Sequence, residues 1–320
     1  MPEATSPQAI EVKHLTRRFG SFVAVDDISF DVARGSIFGF LGSNGAGKST
    51  TFRMLCGLLR PTSGTALVGG IDVSADPEAV KQRIGYMSQR FSLYELLTVD
   101  QNIRFFGGVY GLRPQRLAER RAFVLEMAGL KGREHQLARD LAGGWRQRLA
   151  LGCAILHEPA ILFLDEPTGG VDPLSRRQFW RLIDTLAASG VTVLVTTHYL
   201  DEAERCHRVA LIHAGRLAAF GTTNEVKQVF AGRPVVEVRS DRPVDAMRAL
   251  DQMPEVEKTS LFGTAVHAVL RAGTAGAGDI AQKLRALGIA VESADEVAPS
   301  LEDVFLDVVE KAERARGTAA

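Results

Sequence analysis

The sequence has no excess of either charge: Lys plus Arg number 38 and Asp plus Glu number 38 among 320 residues. That balance removes the broad positive field with which nucleic-acid binders attract phosphate backbones, and no nucleic-acid partner is expected. Cysteine is scarce. Cys56, Cys153 and Cys206 are scattered and form no CxxC pair, which argues against a disulfide framework or a thiolate zinc site and suits a reducing compartment. Each reads as a small buried hydrophobe. No apolar run reaches the roughly 18 residues that a membrane-spanning helix needs; stretches such as Val191–Thr196 have strand length. The opening MPEATSPQAI has neither a basic start nor an apolar stretch, so it does not read as a signal peptide. The chain is expected not to cross a bilayer by itself.

What is present is an ordinary globular balance, 46% hydrophobic and 24% charged, long enough for one large domain or two smaller ones. Residues 9–42 read as β, with apolar and polar residues alternating over Val23–Val32 as in a half-buried strand. Ser36–Leu41 is a short apolar run, and a helix is predicted over Lys48–Leu59 before the turn Pro61–Gly64. From about Phe91 to Leu141 charged residues fall between apolar ones at helical spacing, as in RLAERRAFVLEMAGL. Beyond them, buried strands Ala160–Leu164 and Val191–Thr196 alternate with a helix from Pro173 to about Ala188, with Asp172 as its N-cap. Apolar strands separated by helices argue for a mainly parallel sheet. A hairpin is predicted around Ala214–Gly215 and a capping box at Thr222 and Glu225. Near Gly232–Pro234 the organisation restarts, so residues 1–232 and 233–320 are taken as two domains, the second a small α+β accessory unit.

Chemistry concentrates in a few places. Gly42-Ser43-Asn44-Gly45-Ala46-Gly47-Lys48-Ser49 matches GxxxxGK[ST] between a predicted strand and a predicted helix. Glycines there let backbone N–H groups converge on phosphate oxygens, and the helix N-terminus adds positive potential. Lys48 reaches the β- and γ-phosphates of a nucleotide, and Ser49 offers a hydroxyl to magnesium. Ile161–Leu164 is an apolar strand that ends in Asp165 and Glu166. Two acids at the C-terminal end of such a strand belong at the ligand crevice of a parallel sheet. Asp165 would hold magnesium, and Glu166 would polarise the attacking water.

With these motifs the chain resembles the ATP-binding-cassette (ABC) ATPases over about residues 8–230. The resemblance implies an α/β fold of the P-loop NTPase type: a mainly parallel core sheet, an antiparallel β subdomain and an inserted helical subdomain at about 91–155. It implies that Phe19 stacks on adenine, that Thr50 joins the phosphate loop, and that Gln89 in YMSQR touches magnesium. Leu141-Ala142-Gly143-Gly144-Trp145 matches the family's signature loop, whose consensus is LSGGQ. Ala142 lacks the serine hydroxyl and Trp145 replaces the glutamine, while Gly143 and Gly144 keep the amides. Asp172 falls at the family's dimer-contact loop, and His198 at the end of LVTTH matches the histidine that contacts the γ-phosphate. A stretch at Ser92–Tyr94 and Asn102–Tyr110 resembles the exporter branch, in which a groove beside Gln89 receives a helix of the membrane subunit. Ile103, Phe105, Phe106 and Val109 fit that groove or an ordinary core equally.

The tail Pro299–Phe305 resembles drug-export ATPases, and its bland reading is a helix capped by Ser300 with Val304, Phe305 and Val308 inward. The resemblance therefore implies an ATPase that uses ATP and Mg2+ and pairs with itself or a similar subunit. It would energise a separate membrane permease, exporting drugs or other amphipathic small molecules from the cytoplasmic face of the inner membrane. The rivals are a soluble ABC ATPase, an import ATPase with its own permease, and a regulatory cassette that binds ATP without hydrolysing it.

Overall fold

The computed structural model describes residues 8–89, 93–274 and 276–317, with side chains of the final helix described to Ala312. The chain divides into two compact units, Met1–Thr222 and Thr223–Ala320. The boundary falls ahead of the expected change of organisation at residue 232, because a short helix and a 3-10 turn, Thr223–Lys227 and Gln228–Phe230, group with the second unit.

The first unit opens with strands β1 (Gln8–Phe19) and β2 (Phe22–Ala33), then β3 (Ile37–Leu41), helix α1 (Lys48–Leu55), β4 (Ser63–Val68), β5 (Ile71–Asp72), α2 (Pro77–Arg83) and β6 (Ile84–Met87). Three helices follow: α3 (Val99–Val109), α4 (Pro114–Met127) and α5 (Gly143–Ala154). The unit closes with β7 (Ile161–Asp165), α6 (Pro173–Ala188), β8 (Thr192–Thr197), α7 (Leu200–Ala203), β9 (Arg208–His213) and β10 (Arg216–Gly221). Helix α1 stops four residues short of its predicted end, at Cys56 and at Gly57 with φ +67, a left-handed turn that ends a helix.

Two sheets result. One is antiparallel, in the order β2-β1-β4-β5. The other runs β10-β9-β3-β8-β7-β6 and is parallel except for the β9–β10 hairpin. Every residue of β3, β7 and β8 is buried, as expected of strands covered on both faces. Because β3, β8, β7 and β6 run in one direction, their C-terminal ends share one edge. Leu41 lies beside Thr197, Asp165 beside Thr196, and Met87 beside Leu164. Phe52 of α1 packs between Phe40 of β3 at 6.2 Å and Phe163 of β7 at 5.3 Å, edge-on to the latter. Such ring pairs add about 0.5–1.5 kcal/mol each beyond area burial, and here they pin α1 to the sheet it follows. Helices α3, α4 and α5 form a separate apolar cluster around Ile103, Val124, Leu125 and Leu149, the expected helical subdomain.

The second unit contains α8 (Thr223–Lys227), β11 (Val235–Ser240), α9 (Pro243–Asp251), β12 (Val256–Phe262), β13 (Ala265–Leu270), α10 (Ala277–Ala286), β14 (Val291–Val297) and α11 (Leu301–Gly317). Its sheet is antiparallel in the order β12-β13-β11-β14, the split βαββαβ arrangement. Val236, Val238, Val266, Ala268 and Leu270 point to the cluster built with α9 and α10. By strand alternation Glu237 and His267 point the other way. Helix α11 begins as predicted: Ser300 and Asp303 exchange hydrogen bonds as a capping pair. Its inward face is more polar than the sequence suggested. Val304 is fully buried and Phe305 and Val308 are half-buried, but Asp303 and Asp307 are buried too. Asp303 accepts from His267 at 2.9 Å, and Asp307 pairs with Arg233, Lys258 and Lys311.

Candidate functional site

Strand β3 delivers the chain to the glycine loop. A Cβ on Gly42 would lie 2.3 Å from the carbonyl oxygen of Ile212, and one on Gly47, at φ +110, would lie 2.6 Å from that of Ala24. Only glycine fits at these two points, so the loop is pressed against β9 and β2. Ser43, Asn44 and Gly45 stay exposed and Ala46 is buried. Lys48, 5% exposed, folds back over the loop, and its Nζ donates to the carbonyls of Gly42 at 2.8 Å and Ser43 at 3.2 Å. Ser49 and Thr50 follow in the first turn of α1, half-buried.

Asp165 is the last residue of β7 and 4% exposed. Its Oδ1 accepts from Thr196 Oγ1 at 2.6 Å and from Ser49 Oγ at 3.3 Å. Burial first, and then the charge of Asp165, push the Cys56 thiol and the Tyr86 phenol well above their ordinary pKa. Glu166 adopts φ +47, a left-handed conformation that costs a non-glycine residue about 1–3 kcal/mol. Its N–H bonds to Thr196, to the carbonyl at 3.1 Å and the hydroxyl at 2.9 Å. The turn departs from the strand, and the carboxylate meets groups from three other strand ends. Oε1 lies 3.6 Å from Lys48 Nζ, while Oε2 accepts from Gln89 Nε2 at 2.7 Å and lies 3.5 Å from His198 Nδ1. Lys48, Ser49, Gln89, Asp165, Glu166 and His198 therefore form one contact set.

A second set is separate. Helix α5 starts at Gly143 after Ala142, whose side chain caps nothing. Gly144 is pressed against the start of α6, where a Cβ would come within 2.3 Å of Ser175 Oγ. Ser175 in turn donates its backbone N–H to the Asp172 carboxylate at 2.9 Å, the predicted cap. That hydrogen bond holds the Asp172 carboxyl below the usual range. Trp145 turns into the helical subdomain, with the Arg133 guanidinium 3.8 Å above its ring. Phe19 stands at the tip of the β1–β2 hairpin, 46% exposed, with Arg17 at 4.5 Å from its ring centre.

Between Gln89 and the helical subdomain lies a cleft of about 850 Å³ lined by Gln89, Leu93, Tyr94, Leu96, Phe105 and Arg146 among others. The apolar stripe of α3 divides. Ile103 is core and Phe106 packs on the helical cluster, whereas Phe105 and Val109 are exposed. Ser92 of the predicted groove, and Phe91 at the start of the predicted helical region, lie outside the described residues. Sequence reasoning passed over Thr196, which holds both acids in place, and Thr168, Thr197 and Glu202 behind them. The signal is two adjacent hydroxyls that end the strand, after Val193–Val195 and immediately before His198.

The family model described as ABC transporter matches residues 25–169, and that described as ATP-binding protein DrrA1-3-like, C-terminal domain, matches residues 221–309. The probable multidrug ABC transporter ATP-binding protein YbhF of Escherichia coli is 55% identical over 68% of this chain, which spans 38% of that relative's length. The daunorubicin resistance ATP-binding protein DrrA2 of Streptomyces coeruleorubidus is 36% identical over 93% of this chain and 94% of its own. A solved ATP-binding subunit of an ABC transporter superposes with TM-score 0.64 and 31% identity, covering 70% of this chain and 93% of that one. Helices long and apolar enough to cross a membrane are absent among the described residues. With a relative matched over nearly the whole length of both chains and a fold shared with a solved ATP-binding subunit, this chain belongs to the ATP-binding proteins of the ABC transporter family.

Proposed function

We propose that the chain hydrolyses ATP, as one of a pair of such subunits, to drive a separate membrane permease that exports drugs or other amphipathic small molecules. The observation that carries this reading is Glu166, held at the sheet edge between Lys48, Gln89 and His198. A carboxylate so placed takes the proton of a water that attacks the γ-phosphorus, while the bond from that phosphorus to the ADP oxygen breaks. Lys48 and the loop amides carry the charge of the phosphates, and His198 orients the attacked group. Phe19 offers the ring for adenine. Ser49 Oγ and Asp165 Oδ1, 3.3 Å apart, are two hard oxygen donors, which suits Mg2+, an ion that keeps most of its shell for water and phosphate. Magnesium, when bound there with Gln89 nearby, neutralises phosphate charge.

The names of the relatives support the export reading, and the cleft beside Gln89, with Tyr94, Leu96 and Phe105 at its wall, supports a place for a permease helix. Gly143 and Gly144 at a helix start suit capping the γ-phosphate of a partner's nucleotide, and Asp172 suits the contact between the two subunits. The subunit would then lie on the cytoplasmic face of the inner membrane. Gentle solubilisation of membranes holding the tagged chain tests the reading. A stoichiometric multi-span protein is the expected companion. A chain recovered with ribosomes, DNA or nothing would reject the permease.

A further inference from the structure

Behind the groups that face the nucleotide, one carboxylate joins two of their loops. Glu202, in the first turn of α7, is 2% exposed. Its Oε1 accepts from Thr168 Oγ1 at 2.7 Å and its Oε2 from Thr197 Oγ1 at 2.8 Å. Thr168 stands two residues after Glu166, and Thr197 immediately precedes His198. The Thr197 hydroxyl is committed in both directions, because it also accepts the Tyr199 N–H at 2.9 Å. His198 is thus bracketed by its two neighbours. Arg176 of α6 completes the cluster. Its Nε lies 3.6 Å from Glu202 Oε1 and its guanidinium 3.9 Å over the Tyr199 ring, which is 4.1 Å from the ring of His198.

We propose that Glu202 is a positioning residue for ATP hydrolysis: by holding Thr168 and Thr197 it fixes the spacing of Glu166 and His198. This rests on the reading of Glu166 and His198 given above. Glu202 acts through their neighbours, Thr168 and Thr197. Its two hydroxyl donors sit on the loop that leaves β7 and on the last residue of β8, so one carboxylate ties that loop to the strand end that carries His198. Without it two buried hydroxyls lose their acceptor and Arg176 keeps only Asp201, at 3.9 Å, and buried polar groups left unpaired drive local rearrangement. A shift of about 1 Å in a reacting group costs about 100-fold in rate, whereas the phosphate loop, rooted in β3 and α1, keeps its grip on nucleotide.

The test compares the full-length chain with Glu202→Ala, Glu202→Gln, Thr168→Val and Thr197→Val, measuring kcat, KM for ATP, affinity for a fluorescent ATP analogue and the thermal midpoint. Glu202→Ala should lower kcat about 10- to 100-fold while nucleotide affinity stays within about twofold of wild type. The two valine variants, which remove one hydroxyl at nearly constant shape, should each give part of that fall. Glu202→Gln should retain more turnover than Glu202→Ala. Combining Glu202→Ala with Thr168→Val should add little to Glu202→Ala alone, because the bond that Thr168→Val removes is already gone. An unchanged kcat would overturn the proposal. So would a fall in kcat matched by equal losses of affinity and thermal midpoint, which marks a merely structural group. If Glu202→Ala does not fold, the valine variants decide. Glu166→Gln is the separate control: turnover that persists there rejects the catalytic reading itself, whatever Glu202 does.

Discussion

Gln89 and Glu166 are 77 residues apart in the chain and share a hydrogen bond of 2.7 Å. One stands just beyond β6 and the other just beyond β7, neighbouring parallel strands, so the bond joins the segment leading to the helical subdomain to the acid beside Lys48. Replacing Glu166 with Gln keeps the shape and removes the proton acceptor. Turnover should fall about 100- to 10,000-fold with ATP still bound, as measured by phosphate release and by retention of labelled nucleotide. Unaltered turnover would remove Glu166 from the chemistry.

Phe19 is exposed at its hairpin tip, on a sheet other than the one that carries the phosphate loop. Stacking of a base on an aromatic ring contributes about 1–3 kcal/mol. Phe19→Ala should therefore weaken ATP binding about 5- to 150-fold with little change in kcat at saturation, and Phe19→Tyr should restore it. Titration with a fluorescent ATP analogue, followed by turnover at saturating ATP, separates the two effects.

Gly144 leaves no room for a methyl group beside Ser175. Gly144→Ala should cost about 1–3 kcal/mol, the usual penalty of overpacking, and adding Ser175→Gly should recover part of it despite the cost of glycine near the start of a helix. Urea unfolding of the two variants and their combination tests this. A Gly144→Ala protein as stable as wild type would mean that α5 and α6 separate easily at this point.

His267 and Asp303 form a buried pair, with Glu237 at 3.4 Å on the other side of the ring and Phe262 stacked on it at 4.3 Å; Arg239 pairs with Glu237. Burial alone would lower the pKa of His267, but the two carboxylates outweigh it and raise it above 6.5. Burial would raise Asp303, but His267 and Ser300 outweigh that and lower it. A raised histidine adds stability that is whole below its unfolded value, about 6.5, and is lost as pH climbs through the folded one. A lowered aspartate adds stability that is whole above its unfolded value, about 4, and is lost as pH falls through the folded one. The pair should thus stabilise most between about pH 4 and 6.5. The gap in thermal midpoint between wild type and His267→Gln should narrow from about pH 6 to 9. A gap that is constant over this range would contradict a raised histidine.

The parallel core, the paired acids and the glycine loop were legible because each follows from a local rule: apolar strand length, acids at a strand end, and glycine where no Cβ fits. The contact set around Glu166 was legible only through the resemblance, since Gln89 and His198 carry no signal alone and meet it through strand order. What stayed hidden depended on pairing at a distance. Thr196 and Thr197 look like ordinary β-formers until the neighbouring strand places Asp165 against one and the following turn places Glu202 against the other. Asp303 and Asp307 are not among the inward positions expected of the last helix, and they are buried because His267, Arg233 and Lys258 wait beneath them. Trp145, read as a change in a nucleotide-facing loop, serves the packing of the helical cluster.

The placement of Phe19 on the antiparallel sheet and of Lys48, Asp165 and His198 on the parallel one has an evolutionary consequence. Groups at the ends of adjacent parallel strands are spaced by the strand separation itself, about 4.8 Å, and none can be retuned without disturbing a buried strand. The hairpin tip is under no such constraint. On the proposed reading, the strength with which the base is held can therefore drift by changes at Phe19 while the phosphate chemistry is inherited intact, so two descendants of this cassette could diverge in nucleotide affinity long before they diverge in how they cleave it.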